Sequence, residues 1–213
     1  MIYKDWMKKA VLWDFGGVIL SSPFEAFNDY EAAQGLPADF IRSVNATNPH
    51  DNAWAKLERS DVGGAEFDAL FADEAEALGH RVPGAAVLAL LSGEVRPEMV
   101  ALLDRVKIAG YKVACLTNNV TGAFGSAERA AEVGAIMARF DAVVESSKVG
   151  CRKPEPRFYE IACELLDVRP DECVFLDDLG INLKPAAAMG MTTIKVTSAE
   201  AAIRDLGAVL GFD

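Results

Sequence analysis

Hydrophobic and polar positions fall into two textures along this chain. Ala10-Val-Leu-Trp13 is a short, unbroken apolar run, the pattern of a strand buried on both faces. Lys112–Thr117, Ala142–Glu145, Cys173–Asp177 and Thr192–Val196 repeat it. Helical segments near 97–109, 126–137, 156–166 and 181–189 separate these runs. Strand alternating with helix predicts an α/β fold, a Rossmann-like and mostly parallel sheet with right-handed crossovers and flanking helices.

The second texture lies between about residue 20 and residue 110, where no strand is predicted. Ser22-Pro23-Phe24-Glu25 reads as a helix start. Ser22 would cap, Pro23 suits the first helical position, and Glu25 would complete a capping box. That helix should end at Gly35, and 37–46, 52–59 and 64–78 continue as amphipathic helices. The expected organisation is a core formed by 1–20 and 97–213, with a small helical cap, 21–96, inserted after the first strand. The cap would sit over the C-terminal ends of the strands, where such sheets bind ligands. Phe24, Phe27, Tyr30, Phe40 and Trp54 offer two readings, a substrate-pocket lining or, the preferred one, the cap's own small core. His50 and His80 read as surface residues, and Arg42, Lys56 and Arg59 as a solvated helix face.

Composition narrows the function. The chain has 213 residues, 51% of them hydrophobic, enough for one α/β core and a smaller unit. No stretch reaches the roughly 18 apolar residues of a membrane span. The positive N-terminus is not followed by a signal-type apolar region, so a cytoplasmic location is expected. The net charge of -11 argues against nucleic-acid binding and makes an anionic substrate dependent on local cations. Cys115, Cys151, Cys163 and Cys173 form no CxxC pair and read as free thiols.

Polar residues collect at the predicted strand ends. The first strand delivers Asp14, followed by Phe15-Gly16-Gly17-Val18. The second ends in Thr117-Asn118-Asn119. A later loop, Gly150-Cys-Arg-Lys-Pro-Glu-Pro156, holds Lys153. The next strand ends in Asp177-Asp178, with Gly180 and Asn182 beyond. One parallel sheet brings such ends to one edge. Adjacent carboxylates repel, and a cation relieves that. A carboxylate at a strand tip can serve as nucleophile and metal ligand together.

This ordered set resembles the haloacid dehalogenase superfamily, mostly phosphatases. Trp13-Asp-Phe-Gly-Gly-Val-Ile19 looks like its first motif, Leu116-Thr-Asn-Asn119 the second, Lys153-Pro-Glu-Pro156 the third and Phe175-Leu-Asp-Asp178 the fourth. Val174–Ala186 and Met189–Ile194 look most like the N-terminal phosphatase-like domain of soluble epoxide hydrolases and related acyl-CoA-dehydrogenase-linked domains. The resemblance implies a Mg²⁺-dependent phosphatase acting on a small phosphorylated metabolite, as a monomer or homodimer and without a nucleic-acid or membrane partner. Asp14 would attack phosphorus. Asp14, the Gly16 carbonyl and Asp178 would hold Mg²⁺, with Asp177 as an outer or alternative ligand. Thr117, Asn118, Lys153 and Asn182 would bind phosphate or orient the pocket, and Thr117 and Lys153 would assist catalysis.

The chain departs from this pattern at Gly16, where most phosphatases of the superfamily carry an Asp that protonates the leaving group and then activates water. Loss of such a group typically costs about 10²–10⁴-fold. Three readings follow: a phosphatase for good leaving groups, a substitute acid from the cap, the substrate or water, or a catalytically weak phosphometabolite-binding module. A haloacid dehalogenase, whose halide leaves without a proton, ranks below them, because Asp177-Asp178 suits a metal.

Overall fold

The computed structural model describes residues 8–91, 93–119 and 127–212, apart from the side chain of Glu25. Its strands are β1 (Ala10–Trp13), β2 (Lys112–Thr117), β3 (Ala142–Glu145), β4 (Cys173–Asp177) and β5 (Thr192–Lys195). Its helices are α1 (Pro23–Gln34), α2 (Phe40–Ala46), α3 (Ala53–Glu58), α4 (Gly64–Ala77), α5 (Gly84–Ala89), α6 (Pro97–Ile108), α7 (Ala127–Met137), α8 (Ser146–Val149), α9 (Pro156–Leu166), α10 (Gly180–Ala188) and α11 (Ala199–Leu210). The strands form one parallel sheet in the order β3-β2-β1-β4-β5. This is the Rossmann-like α/β fold.

The central strand explains the packing. All four residues of β1 are fully buried, because helices cover both faces of the sheet. Val11 and Trp13 point to the side covered by α6 and α11, and Ala10 and Leu12 to the side covered by α9 and α10. Helix α9 shows the matching period: Phe158, Tyr159, Ala162, Cys163 and Leu166 are buried on one stripe. The four cysteines are free and buried.

The helices between β1 and α6 bury a cluster of their own, with Phe27, Phe40, Ile41, Phe67 and Phe71 at its centre. The chain leaves and re-enters the sheet domain along paired connectors. Leu20 and Val95 form an antiparallel bridge, Ser21 N–H donates to the Glu94 carbonyl at 2.7 Å, and Arg96 N–H donates to the Ile19 carbonyl at 2.9 Å. Trp54 and Phe24 pack against the same cluster while also facing a cavity.

Two local expectations change. Ser22 occupies the N-cap of α1 with extended backbone but makes no side-chain capping bond; its hydroxyl instead donates to Asp178 Oδ2 at 3.3 Å. A tertiary carboxylate has outcompeted the local backbone for that hydroxyl. The other half of the expected capping box, Glu25, lies outside the described side chains. Helix α5 is an addition, in an Ala- and Leu-rich stretch with little polar alternation to announce it.

Candidate active site

The ends of β1 and β4 build the floor of the site. Trp13 pairs with Leu176, and Asp14 N–H extends the ladder to the Leu176 carbonyl at 2.8 Å. Asp14 and Asp177 therefore emerge side by side where the strands stop. Oxygens of Asp14, Asp177 and Asp178 lie within 4.8 Å of one another.

Lys153 holds this group together. Its side chain is 1% exposed, and its Nζ stands 2.8 Å from Asp14 Oδ1 and 2.7 Å from Asp177 Oδ2. Burial opposes its charge, but the two carboxylates outweigh burial and hold the ammonium well above the usual lysine range. Three carboxylates thus face one buried cation. Burial pushes Asp14 upward, Lys153 opposes this, and Asp177 and Asp178 add to the rise. Burial and then Asp177 raise Asp178 to about 6.

The hydrogen bonds separate the three carboxylates by role. Asp177 is saturated: Oδ1 accepts from Leu179 N–H and Asn182 Nδ2, and Oδ2 from Lys153 and Asn182 Nδ2. Asp14 Oδ1 accepts from Phe15 N–H and Lys153, whereas Oδ2 accepts nothing among the described residues. Asp178 carries the Ser22 bond at Oδ2. A divalent cation would find its ligands in Asp14 and Asp178, with Asp177 behind them fixing Lys153. The loop at Gly17 allows this approach. Gly17 has φ +75°, and a Cβ there would stand 2.2 Å from Asp178 Oδ2.

Above this floor lies a cavity of about 450 Å³. Thr117 and Asn118 line it with Asp14, Lys153 and Asp178. Asn118 ties two loops together: Oδ1 accepts the Lys153 N–H at 2.8 Å, and Nδ2 donates to the Lys153 carbonyl at 3.0 Å. Asn182 also reaches the cavity, but its amide is committed to Asp177, so it positions the acidic cluster rather than offering a free donor to phosphate. Asn119 ties β2 to α8 through Glu145, Ser146 and Ser147.

The upper walls come from the helical insert: Phe24, Phe27 and Trp54, with Arg42 and His50 at the edge. Arg42 is half-engaged, its guanidinium 4.8 Å from the Phe24 ring centroid and 2.6 Å from Asp39. Lys56 pairs with Asp51, and Arg59 pairs with Asp61 and donates to the His50 carbonyl. His80 packs edge-on against Phe40, at the surface.

Two residues in the cavity wall escaped the sequence reading. Glu58, at the end of α3, is 6% exposed, and its Oε2 lies 2.5 Å from Arg152 Nε. Arg152 also donates to the Pro49 carbonyl at 3.0 Å, so it joins the insert to the Lys153 loop. The only local signal was the Trp54–Glu58 spacing of one helical turn, closed by a 3.0 Å hydrogen bond.

The comparisons with known proteins give the family and the fold. Mouse acyl-CoA dehydrogenase family member 10 is 31% identical over 96% of this chain, which spans only 19% of that protein. The sesquiterpene phosphatase astK of Aspergillus oryzae is 27% identical over 95% of this chain and 97% of its own length. An (S)-2-haloacid dehalogenase of a Pseudomonas species is 32% identical over 47% of the chain. A HAD-family enzyme of Bacteroides thetaiotaomicron, solved with magnesium and inorganic phosphate, superposes with a TM-score of 0.56 at 21% identity, covering 88% of this chain and 93% of its own. The haloacid dehalogenase-like hydrolase family model matches residues 8–190, which includes every strand but the last and all of the acidic cluster, and the chain belongs to that family.

Proposed function

We propose that this chain is a Mg²⁺-dependent phosphomonoesterase that works through an aspartyl-phosphate on Asp14, with residues 21–96 acting as its cap. The observation that carries this reading is the Lys153-bridged carboxylate pair beside Asp178, at the floor of a cavity whose walls are mainly apolar. Lys153 and the Phe15 N–H hold one Asp14 oxygen and orient the carboxylate for in-line attack. Thr117 and the Asn118 backbone N–H, in the cavity lining, would hold phosphate oxygens. Asp14, Asp178 and the Gly16 carbonyl would hold Mg²⁺, whose chemistry when bound would be to offset phosphate charge.

The cavity fits a phosphate ester with an apolar body, since Leu20, Phe24, Phe27, Trp54 and Leu91 meet whatever the phosphate carries. Gly16 offers no proton to a leaving alkoxide, so favoured substrates have leaving groups that depart as stable anions. Phosphatases among the relatives support the reaction class. The acidic triad favours it over a carbon–halogen hydrolase.

The test is turnover of matched aryl and alkyl phosphates, with Mg²⁺ or with EDTA. The expected result is metal-dependent turnover that is lost in Asp14→Asn and falls steeply as leaving-group pKa rises. Mg²⁺ and phosphate binding without any turnover would make the chain a binding module. Metal-independent halide release from a 2-haloacid would make it a dehalogenase.

Asp178 adds a pH signature. Its carboxyl titrates near 6 in the folded chain, above the ordinary 3.8. Its contribution to the metal-free fold is therefore full below about pH 4 and lost as pH rises through about 6. Mg²⁺ needs the ionised form, so apparent affinity should drop by up to about tenfold per pH unit below about 6. Thermal unfolding should show a large Mg²⁺-induced rise in Tm at about pH 7.5 and little at about pH 5. An equal rise at both would remove Asp178 from the metal site.

A further inference from the structure

Glu58 is a buried cavity carboxylate without a role in the chemistry above. Its Oε1 accepts the Trp54 indole N–H at 3.0 Å. Its Oε2 lies 2.5 Å from Arg152 Nε and 3.4 Å from Asn118 Nδ2. Asn118 and Arg152 belong to the two loops that present the phosphate-facing N–H and Lys153. The insert therefore places one carboxylate directly against the phosphate grip.

Few groups in this cavity could take a proton at neutral pH. Its described carboxylates are Asp14, Asp178 and Glu58, and the first two serve as nucleophile and metal ligand. His50 is exposed, and Arg42, Arg152 and Lys153 are cations that already hold their protons. Burial raises the Glu58 carboxyl above its ordinary range, against the opposing pull of Arg152 and Trp54. The Arg152 contact keeps it ionised at rest, and burial makes it a stronger base than a solvated glutamate. Among the described residues, and leaving aside its two chain neighbours, no atom stands within 4 Å of where a Gly16 side chain would begin.

The reaction proposed above has two steps with different proton needs, and this inference rests on that reading. In the first, an Asp14 oxygen bonds to phosphorus, the ester P–O bond breaks, and a good leaving group departs as its anion. In the second, a water oxygen bonds to phosphorus, the P–O bond to Asp14 breaks, and the water must give up a proton. Every substrate requires that second transfer, whatever its leaving group. We propose that Glu58 is the general base of this second step, accepting the proton from the attacking water directly or across one further water and passing it on to solvent. Trp54 and Arg152 hold the carboxylate in place between turnovers.

Rapid-quench kinetics with 4-nitrophenyl phosphate and Mg²⁺ test this on the full chain. Glu58→Gln keeps the size of the side chain and removes its basicity. The expected result is a burst of about one nitrophenolate per active site, followed by turnover reduced by about 10²–10⁴-fold. The stalled protein should carry the mass of one phosphoryl group and lose it to hydroxylamine. Equal reduction of burst and turnover, or wild-type values for both, overturns the assignment. Absence of any nitrophenolate from the wild-type chain would instead overturn the phosphatase reading.

Trp54→Phe provides a second test should Glu58→Gln not fold. It deletes the one N–H donated to Oε1, leaving Arg152, Asn118 and the nearby charge of Lys153 in place. Losing a donor to the ionised form raises the pKa. With Mg²⁺ held saturating at every pH, so that the Asp178 titration does not set the profile, the acid limb of turnover should therefore move to higher pH, and an unmoved limb overturns the assignment.

Discussion

Lys153→Met should destabilise the chain by about 3–5 kcal/mol at neutral pH, the scale of removing one partner from a buried ion pair. Methionine fills nearly the same volume, so a cavity is not the cause. The cause is charge: Asp14 and Asp177 lose the ammonium at 2.8 and 2.7 Å, Asp177 is fully buried, and Asp14 has only 11% of its side chain exposed, toward the cavity. At least one would take up a proton, and a protonated Asp14 is no nucleophile. Turnover should fall by about 10²–10³-fold from lost electrostatic stabilisation alone, and further from the protonation of Asp14. The pH dependence carries the sign of the argument. In the variant Asp14, which burial already raises, loses the opposing pull of Lys153, so it favours the fold below the unfolded value and loses that contribution as pH rises. Urea melts should therefore show the deficit narrowing from about pH 7 to about pH 4. A variant within about 1 kcal/mol of the parent at pH 7, with turnover within tenfold, would mean that Lys153 does not hold the site together.

The same cluster shows which features the sequence displays openly. Strands covered on both faces have no polar face to alternate with, so β1, β2 and β4 appear as uninterrupted apolar runs. Asp14, Thr117 and Asp177 are legible because each is the polar residue at which such a run stops, and a parallel sheet brings those stops to one edge. Lys153 has no such local signature. Its place was legible only through the resemblance of Lys153-Pro-Glu-Pro156 to a family motif, and its bridging of two carboxylates is a tertiary fact.

Where reading failed, a distant partner had displaced a local one. Ser22 has the backbone of a helix cap, but its hydroxyl turns to Asp178. Glu58 and Arg152 lie in different parts of the chain, and no periodicity links a buried ion pair across such a separation. Each of these residues sits where the helical insert meets the strand ends, and that junction exists only once both units are folded.

Gly17→Ala should uncouple metal binding from the rest of the fold. Gly17 sits at φ +75°, a conformation that costs a residue with a side chain about 1–2 kcal/mol. The larger effect is steric. A Cβ at this position would lie 2.2 Å from Asp178 Oδ2, 2.4 Å from its Cγ and 2.8 Å from Oδ1. One side must move. The Gly17 loop is held by Arg96 donating to the Gly17 carbonyl at 2.9 Å and by Ile19 and Leu20 N–H donating to the Phe15 carbonyl. Asp178, partly exposed and tied by one long bond to Ser22, is the softer partner. Its carboxylate should swing away from Asp14, leaving Asp14 and the Gly16 carbonyl to hold the cation. Mg²⁺ affinity should weaken by about 10–100-fold, as when a metal ligand loses its proper orientation. Global stability should fall by only about 1–3 kcal/mol. Gly16→Ala is the neighbouring control: beyond its chain neighbours no atom of the described residues lies within 4 Å of its Cβ, so its stability should stay within about 1 kcal/mol of the parent. Calorimetric Mg²⁺ titrations alongside urea melts of both variants measure the two effects separately. A Gly17→Ala chain with parental Mg²⁺ affinity would show that the cation does not depend on where Asp178 points.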